Sequence, residues 1–197
     1  MIYTELNSQM VKAFWQHMMD TYGSKVVTKS DSTFMSSVGW SLGAMGIVDK
    51  NKFMTRYSTT IGKTIYPYYE IGNTEDKALL ANQISNCVHE HDHVIQYLKN
   101  PSGYNFNYVF KHDRRARYEA EAYTCNIELY HWYADIILDP AIIAHKLYDY
   151  GCNSSDVEMA EAILKGNANI VKYGGIITDA GKEAINWLNT YAKNVKL

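Results

Sequence analysis

The chain has few cysteines, no long apolar run and no strong charge of either sign, and each lack excludes a class of protein. Three cysteines with no Cys-x-x-Cys pair argue against a disulfide framework and for reduced thiols. No apolar stretch approaches a membrane span, and the first residues lack the basic and apolar regions of a signal peptide. A net charge of −2 gives no basic field for nucleic acid. We therefore expect a cytoplasmic protein, of a cell or of a virus in its host, with neither nucleic acid nor membrane as partner.

Several catalytic motifs are missing as well. The chain has no glycine-rich phosphate loop, no dinucleotide-binding fingerprint and no Gly-x-Ser-x-Gly elbow, so nucleotide and serine-hydrolase chemistry have no support. With 197 residues, of which 47% are hydrophobic, the chain is long enough for a real core. We find no repeat and no linker, and we expect one domain over residues 1–197.

Hydrophobic periodicity predicts a mainly α-helical chain with a small β-sheet or hairpin, an α+β fold. Helices are predicted at about 5–22, 75–99, 112–135, 140–150, 156–165 and 179–192, together with one that Asp31 or Ser32 caps and that runs through Trp40 to Met45. Two segments rich in Tyr, Thr and Ile, 53–60 and 63–69, predict a hairpin that turns at Ile61 and Gly62. Pro67 indicates that the second strand lies at an edge or ends there. Residues 102–110 are predicted to form an aromatic loop.

The most informative motif lies in the helix predicted over 75–99. Residues 89–93 read His-Glu-His-Asp-His, and His89, Glu90 and His93 form a His-Glu-x-x-His pattern. Positions i and i+4 share a helix face, so two imidazoles can bind one metal ion. The intervening glutamate lies beside them, where it can take a proton from a metal-activated water. We therefore predict His89 and His93 as metal ligands and Glu90 as the general base.

A helical wheel at about 100° per residue supports this interpretation. His89 shares a polar stripe with Asn82, Asn86, His93 and Gln96. The opposite face is apolar and holds Leu80, Ile84, Cys87, Val94 and Ile95. His91 lies in the apolar stripe, so we expect a hydrogen-bonded core histidine there, and we expect Asp92 to face solvent or pair with a base. The competing interpretation is a histidine-rich tract that binds metal adventitiously.

Catalytic zinc needs a third protein ligand, and the next predicted helix supplies two glutamates. Positions 96 and 99 are Gln and Lys, which excludes the extended metzincin pattern. Glu119 shares a face with Ala116, Ala122 and Asn126, where small residues let two helices approach. Glu121 shares a face with arginines, as expected of a solvated or ion-paired carboxylate. Glu119 is favoured, and Glu121 is the alternative.

Together, the His-Glu-x-x-His motif and the Glu119-Ala-Glu-Ala122 sequence resemble the small, minimal gluzincin-like zinc metallopeptidases of bacteria and bacteriophages. The resemblance covers about 53–125 and implies a zincin-like core in which an active-site helix is followed by a ligand helix, with a helical C-terminal part over 138–197. It implies Zn²⁺ held by His89, His93 and Glu119, and a peptide or protein substrate that pairs with an edge strand of the hairpin. Gluzincins of the thermolysin type carry an aspartate where this chain has Tyr123, so the group that supports the first histidine cannot be named from the sequence.

Two further functions compete with a zinc metallopeptidase. One is a related metal-bound hydrolase that does not cleave peptides. The other is a non-catalytic structural or interaction protein, such as a virion component, that keeps the fold and the metal. An intact Glu90 argues against the second, because a structural site needs no general base. Candidate donors to an oxyanion are, by location alone, Tyr118, Tyr123, Tyr130, His131 and His112.

Overall fold

A computed structural model describes residues 2–37, 50–195 and 197 of the chain. The described part is mostly helical with one small sheet, as predicted. Its α-helices are α1 (Ser8–Tyr22), α2 (Lys50–Arg56), α3 (Lys77–Lys99), α4 (Tyr104–Phe110), α5 (His112–Ala134), α6 (Pro140–His145), α7 (Ser154–Lys172) and α8 (Asp179–Tyr191). Two 3₁₀ helices cover Lys29–Asp31 and Lys146–Tyr150. Among the residues described, no helix has both the length and the apolar character needed to cross a bilayer.

The long helices begin and end close to their predicted limits because polar side chains cap them. Asp76 starts α3 by accepting hydrogen bonds from the N–H groups of Ala78 and Leu79. The helix therefore begins at Lys77, two residues after the predicted start at 75. Helix α7 is longer than predicted at both ends: a capping box between Asn153 and Asp156 starts it two residues early, and it continues seven residues beyond 165, to Lys172.

The helix predicted to run to Met45 is described only in its first part. Ser32 accepts a hydrogen bond from the N–H of Met35, and residues 33–37 are helical. The predicted stretch from Trp40 to Met45 lies outside the described residues.

The sheet contains the predicted hairpin in a shorter form. Strands β2 (Thr59–Ile61) and β3 (Thr64–Tyr66) pair antiparallel, with Thr60 opposite Ile65. An unpredicted strand, β1 (Lys25–Val26), pairs parallel with β3. The order β1-β3-β2 makes β3 central, so Pro67 marks the end of a central strand rather than an edge strand. Within the described sheet, β2 is an edge strand.

The prediction of a strand was wrong for residues 53–56, which form the second half of α2. Aromatic and threonine residues there favour a strand, but tertiary contacts stabilise the helix. The buried Lys29 donates hydrogen bonds of 2.7 Å to the carbonyls of both Phe53 and Tyr57, at the end of the helix. Its ammonium group also lies 3.7 Å from the centre of the Phe53 ring. A cation distant in sequence thus satisfies the carboxyl end of α2, and no local pattern reveals it.

The predicted loop over 102–110 is largely a helix, α4, which follows α3 after a short turn. The carbonyls of Tyr108 and Val109 near its C-terminus accept hydrogen bonds from the guanidinium of Arg115 on α5. Here too a cation from another element, six or seven residues away in sequence, satisfies carbonyls at the C-terminus of a short helix. The prediction failed because this partner belongs to the following helix.

Helix α5 lies between two apolar clusters. Its residues Cys125 and Leu129 pack in the cluster built from α1, α3 and α8. Its residues Ala116, Ala120 and Ile127 pack in the cluster built around α6 and α7. The three cysteines are free and buried, as predicted. Because both sides of α5 are packed, the position of any side chain it presents to α3 is well fixed.

Candidate metal centre

Helix α3 presents two neighbouring histidines to α5, as the spacing of the motif predicts. The ring centres of His89 and His93 are 4.9 Å apart, and the rings are nearly perpendicular. Both residues are buried, with 7% and 4% of their surface exposed. Across from them, α5 places Glu119, which is 1% exposed.

These three side chains form a cluster with the composition and spacing of a metal site. Glu119 Oε2 lies 3.4 Å from His89 Nε2, and Glu119 Oε1 lies 3.4 Å from His93 Nε2. One potential ligand atom from each residue lies within 4.8 Å of the other two. Glu119 Oε2 is buried, and within the part of the chain that the structure describes it has no hydrogen-bond partner, which is costly for a carboxylate oxygen. A cation between the three donors satisfies this oxygen, so the residues fit a metal ion.

The ionisation of the cluster shows that it favours a positive charge. Burial lowers the pKa of His93, but the attraction of Glu119 outweighs it and raises the pKa to about 10. Burial likewise raises the pKa of Glu119, and the two histidines more than offset this and hold it well below its usual range. A proton therefore occupies His93 at neutral pH in the metal-free protein, and a metal ion has to compete with it.

A buried amide fixes the ring of His89 in the orientation a metal ligand needs. Asn126 donates through Nδ2 to the carbonyl and the hydroxyl of Ser85, at 3.0 and 2.7 Å. Its Oδ1 is thus the acceptor, 3.0 Å from His89 Nδ1. The proton of neutral His89 is then on Nδ1, and the lone pair of Nε2 faces Glu119. Asn126 supplies the support for the first histidine that could not be named from the sequence, although it lies two helical turns after Glu119 on the same face.

A second amide, that of Gln96, fixes the orientation of the His93 ring. Gln96 accepts through Oε1 at 2.9 Å from His93 Nδ1, and its Nε2 donates to Asp92 and to the carbonyl of Tyr118. Asp92 was expected to face solvent or pair with a base, and that expectation was wrong. It is 2% exposed, and it helps to orient Gln96. Burial is the main reason that the pKa of Asp92 is raised to about 7.

We expect Asn126→Ala to weaken Zn²⁺ binding by about 10- to 100-fold, the usual effect of removing a group that orients a ligand histidine. The physical reason is that the ring of His89 loses the acceptor that holds its proton on Nδ1. A competitive titration against a chromophoric chelator measures the change. The matched control is Asn86→Ala on α3, because Asn86 bonds to Ser58 and Tyr69 instead. Equal affinities of the two variants would contradict this role.

Glu90 lies at the floor of a cleft beside the cluster. It is 4% exposed, and its Oε2 accepts a 2.7 Å hydrogen bond from the hydroxyl of Thr60 on β2. The cleft has a volume of about 220 Å³, and His89, His93 and Glu119 also line it. Its walls come from α2, β2, α4 and the second 3₁₀ helix, and they carry the aromatic residues Phe53, Tyr57, Tyr104, Tyr108 and Tyr150. The base predicted from the sequence therefore borders the same space as the three donors.

Other residues singled out in the sequence lie elsewhere. The side chain of Glu121 is exposed and accepts a hydrogen bond from Gln96. His91 is a buried core residue, as expected, with Nδ1 2.7 Å from the carbonyl of Cys87 and Nε2 3.0 Å from the Ser24 hydroxyl. Burial lowers the pKa of His91 to about 4, so it is neutral at pH 7.

None of the five expected oxyanion donors is among the residues that line the cleft. Tyr123 packs its ring against His89 at 4.7 Å, and Tyr118 packs against Tyr104 at 4.8 Å. The hydroxyl of Tyr104 lies 3.1 Å from His93 Nδ1, and the tyrosine that contacts the carboxylate of the cluster is Tyr108, whose hydroxyl donates to Glu119 Oε1. It was missed because residues 102–110 were assigned to a loop. Helical spacing from Tyr104 to Tyr108 is the signal that could have revealed it.

Comparisons of the chain with models of protein families, with curated proteins and with solved structures found no match. The functional interpretation of this centre therefore rests on its own geometry and chemistry.

Proposed function

We propose that the protein is a zinc-dependent hydrolase of the gluzincin type that cleaves peptide bonds. The observation that carries this proposal is the buried cluster of His89, His93 and Glu119 with Glu90 bordering the same cleft. A cluster alone suits any metal-binding protein. The carboxylate of Glu90, which borders the same open cleft, is the feature that favours a catalytic function.

Zinc is the metal that suits the donors best. Two imidazole nitrogens and one carboxylate are a common catalytic zinc set, and they leave a coordination position for water or substrate. When bound, Zn²⁺ supplies Lewis acidity, which polarises a carbonyl group and acidifies a water molecule. His89, His93 and Glu119 would hold the ion, while Asn126 and Gln96 keep the two imidazoles in the ligating tautomer.

Glu90 moves the proton in this mechanism. Its carboxylate accepts a proton from the attacking water and delivers it to the leaving amine. Thr60 holds one carboxylate oxygen by donating a hydrogen bond, which orients the group and leaves the other oxygen to take the proton. Tyr108 donates its single hydroxyl proton to Glu119 Oε1, so it orients the ligand carboxylate.

An extended peptide suits the shape of the cleft. Strand β2 lines one wall and is the edge strand of the described sheet, so its outer backbone groups can pair with a substrate strand. Pairing of this kind binds the peptide backbone and leaves side-chain preference to the other residues that line the cleft. These include Tyr104 and Tyr108 of α4.

A peptide-library digest tests the function. We expect the zinc-loaded protein to cleave library peptides, the chelator-treated protein to lose this activity, and added Zn²⁺ to restore it. Cleavage that a chelator leaves unchanged, or no cleavage across the library by protein with a full equivalent of zinc, would contradict a zinc peptidase.

A non-catalytic metal-binding protein is the second candidate. The burial of the three donors favours this candidate, because each ligand residue is more than nine-tenths buried, as in structural zinc sites. Zinc binding with a large gain in thermal stability and no hydrolysis is its expected signature.

A further inference from the structure

The cleft is also bordered by a buried positive charge that has no carboxylate partner among the described residues. Arg115 on α5 is 5% exposed and lines the same cleft as the three donors. Within the described residues, no carboxylate oxygen comes within 4.0 Å of its guanidinium nitrogens. Buried charges in proteins are normally paired, so this one needs an explanation.

Backbone carbonyls satisfy only part of this guanidinium. Nε donates to the carbonyl of Tyr108 at 2.7 Å, Nη2 to that of Val109 at 2.6 Å, and Nη1 to that of Tyr150. A guanidinium has five N–H groups, so one remains on each terminal nitrogen. The carbonyls contribute partial negative charge from the ends of two short helices, but none carries a full charge.

We propose that Arg115 binds a carboxylate of the substrate, so that the enzyme acts on peptides close to a free C-terminus. The inference rests on the proposed function for the identity of the substrate as a peptide. A carboxylate can accept from both of the N–H groups left on the terminal nitrogens where these lie side by side at the end of the guanidinium opposite Nε. The bound carboxylate supplies the full negative charge that Arg115 lacks.

The spacing along α5 indicates which bond is cleaved. Arg115 precedes Glu119 by one helical turn, and side chains at that separation start about 5–6 Å apart. An extended peptide covers about 3.3–3.6 Å per residue. If Arg115 holds the C-terminal carboxylate of a peptide, the peptide bond that lies near Glu119 is therefore about one or two residues from that carboxylate.

The negative charge of Asp149 in the same cleft does not cancel this attraction. Asp149 is exposed and accepts a hydrogen bond from the hydroxyl of Tyr57, so water and salt screen its charge. Arg115 is buried, and its field inside the cleft is screened much less. A ligand bound beside Arg115 therefore meets a positive charge.

Calorimetric binding tests the proposal without requiring turnover. The probes are N-acetyl-Phe-Phe with a free carboxylate, the same peptide as its amide, and N-acetyl-Phe-Glu amide. They are titrated into the zinc-loaded Glu90→Gln variant, into metal-free wild type, and into Arg115→Lys. We expect the acid to bind about 10- to 100-fold more tightly than the amide in the first two proteins, as for a hydrogen bond between charged groups. In Arg115→Lys, which keeps the charge and loses the fork of donors, the ratio should fall to a few-fold or less.

Each other outcome has a definite meaning. Equal affinity of acid and amide, including no binding of either, overturns the proposal and makes Arg115 a structural clamp for three carbonyls. A preference that disappears when the metal is removed places the carboxylate on the metal, which also overturns it. Tight binding of the glutamate amide assigns the carboxylate to a side chain instead of the C-terminus. A preference for the acid without any hydrolysis in the library digest leaves this inference standing and removes the proposed function.

Discussion

Replacing Glu119 by glutamine should lower the affinity for Zn²⁺ by at least about 100-fold, while Glu121→Gln should leave it within a few-fold of wild type. Groups that only orient a ligand already contribute up to about 100-fold, so the loss of a ligand charge should reach that limit or exceed it. Glutamine keeps the volume of the buried side chain, and its amide oxygen can still accept the hydrogen bond of Tyr108. It lacks the negative charge that the two histidines now face.

The two variants form a matched pair, since they make the same chemical change two residues apart on one helix. A competitive chelator titration gives both affinities, and thermal unfolding of the metal-free proteins shows whether each fold is intact. The opposite pattern, with metal kept in Glu119→Gln and lost in Glu121→Gln, would assign the third ligand to Glu121. In that case the buried cluster would not be the metal site.

Glu90→Gln should reduce peptide hydrolysis by about 10²- to 10⁴-fold, the range that a positioned general base contributes. An amide cannot take the proton of the attacking water, although it can still accept the hydrogen bond from Thr60. Zinc affinity should change little, because the residue is not among the three clustered donors. Hydrolysis of a library peptide and metal content are measured in the same samples.

Glu121→Gln again serves as the control for the effect of removing one carboxylate, and it should retain full hydrolysis. Activity that persists in Glu90→Gln at full zinc content would disprove the proposed role of Glu90. If wild type and both variants bind zinc equally and none hydrolyses any peptide, the non-catalytic alternative describes the protein.

Local sequence was sufficient to predict the two halves of the metal cluster. Histidines at i and i+4 share a face of any helix, so the pairing of His89 and His93 follows once α3 is recognised. The third ligand, Glu119, is harder to predict, because its distance from the histidines depends on how α3 and α5 pack. The small residues beside Glu119 predicted a close helix on that side of α5, but Ala116 packs in the cluster around α6 and α7, so this residue does not explain the approach of α3.

Several parts that sequence did not predict depend on contacts between different elements of the fold. Asn126 lies on the correct face of α5, but nothing local shows that its amide meets His89. The two short helices α2 and α4 were read as strand and loop, because the cations that satisfy their carbonyl groups, Lys29 and Arg115, belong to other elements. Helices of seven residues have little stability of their own, so such contacts decide whether they form.

The metal donors and the cleft walls come from different kinds of element. His89, His93 and Glu119 lie on two 23-residue helices whose other faces are packed in the core. Half of the residues that line the cleft outside that cluster come from a three-residue strand, β2, and a helix of seven residues, α4. Substitutions or length changes in these short segments can remodel what the cleft accepts while the spacing of the three donors stays constant. The architecture thus allows substrate range to evolve independently of metal chemistry.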